Sequence, residues 1–453
     1  MTAAADGLPT PRRYWAAFSV ATSLVVYVMD ASMVTVMLPV IAESLGVAPS
    51  QAIWAMTAYH LTLACLLLPL AALGEKYGQW LIYSAGLVLF SVGAIFSASS
   101  TTLATLIAGR VLQGVGAAGA QSMTMALLRH SYPRAQFGRA AGINSTVVGV
   151  SMASGPAVGA AILLLAEWRT LFLLVLPVAA FSLGVGLLAL PRISRRTIRF
   201  DFVAAAMTSL AVLCFVLGLN ELRAGADPLR LAGLLGLAIV ITVLLVRRLR
   251  GTQDPVLPVD LLSVRIIALS LTTSLCLFTA QGMTMTALPF HLAQATGLSA
   301  GQVGLLITPW PFAMAIMANV SGWLSERYSA RLLCACGIAI MVFGMTMMVF
   351  LPDRPTVFEV LWRMAVFGTG FGLFVTPNNR LVMLNAPLSR ASAIGGLVAM
   401  VRMIGMSLGA TLAAVMFSYW PHDPGHAAFT LAACVLVVAF ILCCVRKTSR
   451  EAA

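Results

Sequence analysis

The chain has 453 residues, of which 60% are hydrophobic and only 9% are charged, and its mean hydropathy is +0.95. These values exclude a water-soluble protein, whose surface needs far more polar residues. The net charge is +13 at pH 7. In so apolar a chain we expect this excess of Lys and Arg in loops on one side of a membrane, so no nucleic-acid partner is expected.

Apolar runs that are long enough to cross a bilayer follow one another along the chain. A helix needs about 20 such residues to span the hydrocarbon core. The runs predict fourteen transmembrane helices, at 15–41, 51–73, 80–98, 103–128, 138–164, 170–190, 202–219, 231–246, 266–291, 301–324, 332–351, 358–379, 391–418 and 427–445. The predicted fold class is all-α integral membrane, with two six-helix bundles (helices 1–6 and 9–14) and two inserted helices.

The same segmentation divides the chain into five parts. They are a cytoplasmic N-terminus (1–14), an N-terminal six-helix bundle (15–190), cytoplasmic linkers with two inserted helices (191–265, helices at 202–219 and 231–246), a C-terminal six-helix bundle (266–445) and a cytoplasmic tail (446–453). The inserted helices contain no ionisable residue in their apolar runs, so we expect them to be peripheral.

Basic residues are unevenly distributed between the two sets of loops. Only Arg169, Arg223, Arg230 and Arg354 lie in the loops of one side, whereas the tails and the other loops carry most of the remaining Lys and Arg. The positive-inside rule places the Lys- and Arg-rich side in the cytoplasm. We therefore expect a multi-pass protein of the inner (plasma) membrane with both termini in the cytoplasm.

Asp30 is the carboxylate that lies well inside a predicted helix. An ionised Asp at that depth costs on the order of 3 kcal/mol, so it should face a cavity or a partner, or take up a proton. Ser19, Ser23 and Tyr27 precede it at spacings of three and four residues and therefore share its face of helix 1. We expect this face to line a cavity.

Arg110 and Gln113 in helix 4 are predicted to lie beside Asp30. At 1.5 Å per residue, Asp30 lies roughly 16 Å, Arg110 roughly 10 Å and Gln113 roughly 15 Å below the same membrane surface. An arginine side chain can bridge that difference. We expect a proton-coupling cluster in which Arg110 moderates the proton affinity of Asp30; the alternative is a purely structural ion pair.

Ten polar, aromatic or methionine residues are candidates for a substrate-binding surface, because methionine and aromatic side chains adapt to varied apolar ligands. They are Met33, Met37, Trp54, Tyr59, Gln113, Gln281, Trp310, Phe371, Asn378 and Asn379. The alternative for each is a role in packing or at the membrane interface. His60 and His291 can titrate near neutral pH and rank second to Asp30 as proton carriers.

A short pattern repeats at long range in the chain. Glu75 and Lys76 close helix 2, and Glu326 and Arg327 close helix 10 with the same spacing. Arg110 in helix 4 likewise has an echo in helix 12. Two homologous bundles with a cavity between them are the architecture with which secondary transporters achieve alternating access.

Three motifs resemble those of the Major Facilitator Superfamily. Residues 71–79 read Ala-Ala-Leu-Gly-Glu-Lys-Tyr-Gly-Gln, against the family pattern G-x-L-A-D-R-x-G-R. Helix 4 carries Arg110 followed by a Gly-x-Gly, as in the Arg-containing motif of the family. In helix 5, the antiporter signature is matched by Gly149, Gly155, Pro156 and Gly159. The chain is most similar to the fourteen-span drug:proton antiporter branch.

The resemblance implies two further groups of functional residues. The first is a gating motif, in which the acid and the neighbouring cation form a contact that breaks as the halves move; its residues are Gly74, Glu75, Lys76, Gly78, Glu326 and Arg327. The second is a hinge or seal at the antiporter signature. There, glycines let helices approach closely and a proline frees a backbone carbonyl.

The predicted function is proton-coupled antiport that exports small lipophilic compounds by alternating access, as in multidrug or toxic-compound efflux. The expected partners are the substrate, protons and the lipid bilayer, and the protein is expected to act as a monomer. The predicted helices contain one well-buried carboxylate, Asp30, but three arginines (Arg110, Arg363 and Arg402), so their net charge is positive. A first alternative is therefore proton-coupled transport of a specific neutral or anionic metabolite, by import or export.

A weaker alternative is a membrane sensor that transports nothing. No enzymatic activity is expected, because the chain has no phosphate-binding Gly-Lys loop and no soluble domain to house an active site. For the same reason we expect no cofactor and no metal site.

Overall fold

A computed structural model describes residues 7–47, 49–193, 200–224, 228–249, 258–296, 305–352, 355–420 and 423–446, apart from some side chains such as that of Pro156. These residues form fourteen long helices. They are α1 (Arg12–Leu45), α2 (Trp54–Tyr77), α3 (Gln79–Ala98), α4 (Leu103–Ser131), α5 (Phe137–Leu165), α6 (Thr170–Ala189), α7 (Phe202–Ala224), α8 (Pro228–Leu249), α9 (Arg265–Thr296), α10 (Pro309–Leu324), α11 (Ala330–Val349), α12 (Val357–Asn385), α13 (Ala391–Tyr419) and α14 (Pro424–Val445).

The predicted all-α membrane fold is confirmed. In the described residues, thirteen of the helices are long and apolar enough to cross a bilayer. The remaining helix is α5, with 29 residues. Most helix ends differ from the prediction by a few residues, because helices continue past the hydrocarbon core into the headgroup region; α1 has 34 residues and α9 has 32. Helix 10 is an exception, since the prediction starts it at residue 301 and α10 begins at Pro309.

Local sequence sets several of the helix ends. Gly78 alone separates α2 from α3, and its φ of 107° lies in the left-handed region that a side chain rarely tolerates. Thr102 and Thr105 form a reciprocal capping box at the start of α4. Thr356 and Glu359 form the equivalent box at the start of α12. The Gly78 turn and the two capping boxes thus end or begin helices at short connections, across which neighbouring helices run antiparallel.

The six helices of each half pack in equivalent pairs. In the first half, the strongest contacts join α3 to α4, α2 to α4, α1 to α5, α1 to α6 and α3 to α6. In the second half the corresponding contacts join α11 to α12, α10 to α12, α9 to α13, α9 to α14 and α11 to α14. The internal repeat therefore extends from two short motifs to the packing of both halves.

The two halves meet through contacts that are also related by the repeat. Helix α2 packs on α13, and α5 packs on α10, which is the equivalent pair. The polar contacts between the halves cluster near the helix ends on the side where α1 begins and α14 ends, which is the predicted cytoplasmic side. Arg129 of α4, for example, donates a hydrogen bond to the Ala386 carbonyl just after α12, at 2.9 Å.

The inserted helices α7 and α8 pack on each other and, through α7, on α2 and α13. Only 17% of the apolar segment of α8 is buried, so this helix is peripheral, as expected. Arg248 at the end of α8 donates to Asp201, which precedes α7, with 2.9 Å between Nε and Oδ2. This hydrogen bond lowers the pKa of Asp201. The inserted pair thus covers the seam between the halves on one side.

Candidate functional site

Asp30, Arg110 and Gln113 form a closed cluster inside the first half. Arg110 Nη1 lies 2.5 Å from Asp30 Oδ2 and 2.9 Å from Gln113 Oε1. Gln113 Nε2 donates to Asp30 Oδ1 at 3.2 Å. All three side chains are fully buried. The cluster that helix depth predicted is therefore present, with each carboxylate oxygen bound by a different side chain.

The Arg110 guanidinium makes further contacts that fix its position. Its Nε donates to the Ala55 carbonyl at 3.1 Å, and its carbon Cζ lies 4.3 Å from the centre of the Tyr59 ring. Tyr59 in turn donates to the Tyr27 carbonyl at 3.2 Å. Arg110 Nη2 is buried and has no acceptor among the described residues. One N–H donor group of the Arg110 guanidinium is therefore unused in this arrangement.

The polar face of α1 packs inside the first half, which corrects the expectation that it lines a cavity. Ser19 lies 3.3 Å from the Tyr83 hydroxyl and donates to the Ser182 carbonyl at 2.8 Å. The Tyr27 hydroxyl lies 3.1 Å from that of Thr124. These partners belong to α3, α6 and α4, and together they cover the whole face. Asp30 is consequently sealed from both membrane surfaces in this conformation.

Glu75 forms an ion pair that joins the two halves. Arg390, just before α13, donates from Nη1 to Glu75 Oε2 at 3.1 Å. The Ala393 amide in the first turn of α13 donates to Glu75 Oε1, also at 3.1 Å. A carboxylate at a helix N-terminus is stabilised by the helix dipole. Arg390 also bonds Asp260 Oδ1 at 3.2 Å, in the segment after α8.

The prediction that Glu75 pairs with the neighbouring Lys76 is wrong. Lys76 makes no ion pair with a described residue, and its Nζ lies 5.0 Å from the centre of the Tyr77 ring. Adjacent helical residues point about 100° apart, so Glu75 faces α13 while Lys76 faces outward. The missed residue is Arg390. The one indication of Arg390 in the sequence is that a basic residue directly precedes helix 13, on the same side of the membrane as Glu75.

The second copy of the motif is not a gate in this conformation. Glu326 and Arg327 are exposed, and Arg327 stacks on Trp323 with Cζ 4.2 Å from the ring centre. The equivalent contact between α5 and α10 combines a hydrogen bond from Asn319 Nδ2 to Thr146 Oγ1, at 2.6 Å, with close packing at glycines. A Cβ on Gly142 would lie 2.7 Å from the Ala318 carbonyl, too close for any side chain. One seam is therefore held by an ion pair, and the other by neutral hydrogen bonds and close packing at glycine.

The glycines of the antiporter signature allow close helix contacts on two sides of α5. A Cβ on Gly149 would lie 2.6 Å from Met314 Cε, in α10 of the other half. A Cβ on Gly155 would overlap Ser32 of α1, whereas one on Gly159 would make only an ordinary contact, 3.4 Å from the Met33 carbonyl. Helix α5 thus runs tightly between α1 and the second half. Pro156 lies in α5, but its side chain is outside the described part of the chain.

The candidate lining residues do not meet in one cavity. Met33, Met37 and Tyr59 belong to the core of the first half. Trp310 and Phe371 belong to the core of the second half, with ring centres 5.8 Å apart. The two sets are separate because each packs within the core of its own bundle.

The remaining lining candidates differ in their surroundings. Trp54 begins α2 and is 47% exposed. Asn378 is held in a network, because its Nδ2 donates to Ser274 Oγ at 2.9 Å and Arg446 donates to its Oδ1 at 2.9 Å. Asn379 is half-buried, whereas Gln281 is buried. Gln281 Oε1 and Trp310 Nε1 are buried and have no hydrogen-bond partner among the described residues.

A cavity of about 400 Å³ lies between α7, α8 and α13, away from all of these residues. Its walls are almost entirely apolar and include Phe215, Ile239, Met400 and Ile404. His60 and His291, the alternative proton carriers, do not line this cavity. His60 Nδ1 is 3.0 Å from the Met56 carbonyl, and the His291 ring contacts that of His426.

Comparison with known proteins gives a consistent family. The family model described as Major Facilitator Superfamily matches residues 20–410 and 270–453. An uncharacterized transporter of Escherichia coli (strain K12), YebQ, is 37% identical over 437 residues, which cover 96% of each chain. The riboflavin transporter RibZ of Clostridioides difficile (strain 630) is 26% identical, over 86% of this chain and 85% of its own.

A multidrug resistance protein of Mycobacterium tuberculosis (strain CDC 1551 / Oshkosh), Stp, is 28% identical over 86% of this chain and 73% of its own. Among solved structures, that of the human organic anion transporter MFSD10 has a similar fold. Its TM-score is 0.70, with 15% sequence identity, over 96% of this chain and 100% of that one.

Proposed function

This chain belongs to the Major Facilitator Superfamily, and from that premise we propose that it is a proton-coupled antiporter that exports small lipophilic compounds. It is a multi-pass membrane transporter and not an enzyme, as its relatives and the shared fold are those of transporters. The observation that carries the proposal is the buried ion pair of Asp30 and Arg110 in the first half. Export agrees with the name of the multidrug resistance relative.

The proposed coupling uses the ion pair as a switch between two arrangements. When Asp30 is ionised, Arg110 and Gln113 bind both of its oxygens and the cluster is closed. A proton on Asp30 removes the charge that holds Arg110, whose spare Nη2 can then bind elsewhere. Because one ionised group is neutralised, the helices α1 and α4 can separate at lower cost. Proton uptake and helix movement are thereby linked.

The proposed gate is the contact of Glu75 with Arg390 and the Ala393 amide. It holds α2 against α13 near the predicted cytoplasmic side. Its opening would expose the interior to that side, where substrate enters. The spare atoms Gln281 Oε1 and Trp310 Nε1 would then be available to the ligand. Export follows when the gate closes again and an external proton reaches Asp30. A proton moving down 100 mV supplies about 2.3 kcal/mol.

Reconstitution tests the proposal directly. We expect proteoliposomes that hold the purified protein to move a lipophilic dye against its gradient when a pH difference is imposed, and to stop when an ionophore removes that difference. Empty liposomes are the control for passive leakage. Dye movement that is the same with and without the pH difference would contradict proton coupling but not transport.

A second candidate cargo is a neutral or anionic compound. Arg402 lies near the middle of α13, is half-buried, and has no carboxylate partner among the described residues. It lies near Tyr27 of α1. Because Arg110 neutralises Asp30, Arg402 leaves a net positive charge between the halves. Such a charge repels lipophilic cations and attracts anions.

Replacement of Arg402 by Gln is expected to lower the transport of an anionic cargo at least about tenfold, because a hydrogen bond to a charged group contributes about 1.5–3 kcal/mol. The measurement compares uptake of an anionic and a cationic dye of similar size in proteoliposomes. Arg327→Gln, which removes an exposed arginine outside the membrane interior, is the matched control and should change neither rate. Equal losses for both dyes would mean that Arg402 does not select cargo by charge.

A further inference from the structure

Three metal-ligating side chains meet at the predicted extracellular end of the second half, opposite the Glu75 gate. Asp423 precedes α14, His426 lies in its first turn, and His291 lies near the end of α9. One ligand atom of each residue lies within 4.8 Å of the other two. The two imidazole rings are edge to face, with centres 4.9 Å apart. Two helices that are far apart in sequence are thus brought together at these groups.

The ring of His426 is oriented by a backbone carbonyl. Its Nε2 lies 2.9 Å from the Leu351 carbonyl, which can only accept, so Nε2 carries the hydrogen. Its Nδ1 lies 2.6 Å from Asp423 Oδ1. At this distance a proton lies between the two atoms, as in a hydrogen bond, so a metal ion would have to replace that proton and widen the gap slightly. A metal-bound His typically donates its other ring N–H to a carbonyl, as His426 does here.

The approach of His291 depends on a glycine. A Cβ at position 425 would overlap His291 Nδ1 and lie 2.7 Å from Cγ of the same ring. Gly425 therefore leaves the space through which the α9 histidine reaches the start of α14. The group is also accessible, because the side chains of Asp423 and His426 are 59% and 19% exposed. An ion can reach it from the aqueous side.

We propose that His291, Asp423 and His426 bind a divalent transition metal ion of the Zn²⁺ type. Two imidazoles and a carboxylate are ligands that Zn²⁺ prefers, and three protein ligands leave a fourth position for water. This corrects the expectation of no metal site: His291 lies 132 positions before Asp423 in the sequence, and only the packing of α9 on α14 brings the two together. The bound ion would tie the outer end of α9 to that of α14. This site is independent of the proposed proton coupling.

The alternative role for Asp423 and His426 is helix capping alone. Asp423 accepts a hydrogen bond from the His426 amide at 3.3 Å, as an N-cap residue does. Capping does not require His291, which belongs to another helix. It also survives replacement of Asp423 by Asn, since Asn is an equally good N-cap. These two differences separate a cap from a metal site.

The test is a Zn²⁺ titration of the full-length protein, purified in detergent and stripped with a chelator, against a chromophoric zinc indicator. We expect one equivalent of Zn²⁺ to bind, and His291→Gln, Asp423→Asn and His426→Gln each to raise the Kd at least tenfold. His130→Gln, in the last turn of α4 at the predicted cytoplasmic end, far from this group, is the control and should bind like the wild type. His422 lies outside the described residues and is unchanged in every variant.

A second measurement keeps the result independent of folding. Zn²⁺ should raise the Tm of the wild type and of His130→Gln, and should leave the Tm of the three site variants unchanged. The proposal is overturned if the wild type binds no Zn²⁺, or if His291→Gln and Asp423→Asn bind it as tightly as the wild type. In either case the group is a helix cap.

Discussion

Replacement of Asp30 by Asn is expected to abolish proton movement while leaving a folded protein that still binds its cargo. Asn has the shape of Asp, and its Oδ1 can accept the hydrogen bond from Gln113 that Asp30 accepts at 3.2 Å. Its amide cannot carry the exchanged proton. We expect the release of protons on addition of substrate to proteoliposomes to fall at least tenfold, to the level of empty liposomes. Substrate-induced changes in tryptophan fluorescence should remain.

The same substitution leaves Arg110 buried without its counter-ion. Removing one partner of a buried ion pair costs about 3–5 kcal/mol, so the thermal stability of Asp30→Asn should fall. The double variant Asp30→Asn with Arg110→Gln removes both charges and is the matched control. It should recover stability but not proton release. If the double variant recovers both, the pair is structural and the proton is carried elsewhere.

Loss of the Glu75 to Arg390 contact is expected to open the seam between α2 and α13. In Glu75→Gln the cross-half ion pair is gone and the Ala393 amide loses a charged acceptor. Arg390 keeps its contact with the half-exposed Asp260, so we place the cost at the lower end of about 3–5 kcal/mol for breaking a buried pair. This shifts the population strongly toward the state open on the predicted cytoplasmic side.

Hydrogen exchange at the start of α13 measures this opening, because the Ala393 amide is itself bound by Glu75. We expect exchange in the peptide covering 390–396 to be at least tenfold faster in Glu75→Gln, and concentrative transport to be largely lost. Arg390→Gln should behave alike, and combining the two should add little. Additive effects of the two substitutions would show that they do not act through one contact.

Lys76→Gln and Glu326→Gln are matched controls for the gate. The sequence motif places both residues in the gate, whereas in the structure Lys76 faces outward and Glu326 is exposed. Neither substitution should change exchange at α13. If Lys76→Gln accelerates exchange as much as Glu75→Gln does, the gate follows the motif and not the observed ion pair.

The lipid environment explains why so much of the architecture can be inferred from residue order. Because backbone groups must be satisfied within each helix in a bilayer, apolar runs identify the helices almost directly. Helix rise then fixes depth, and the similar depths of Asp30 and Gln113, together with the reach of the Arg110 side chain, correctly predicted the cluster. A charged residue in the membrane interior needs a partner, so the residues that can lie beside Asp30 are further limited to polar and basic ones.

Residue order could not show what covers each helix face. Periodicity places Ser19, Tyr27 and Asp30 on one side of α1, but a polar face is satisfied equally by a water-filled cavity and by polar groups of a neighbouring helix. In the structure, polar groups of neighbouring helices cover this face. Likewise, only the packing of α2 on α13 selected Arg390 over the adjacent Lys76, since a contact across 315 positions depends on how two bundles dock. The depth of a residue follows from the sequence of its own helix, whereas the partner of its side chain depends on how two helices pack.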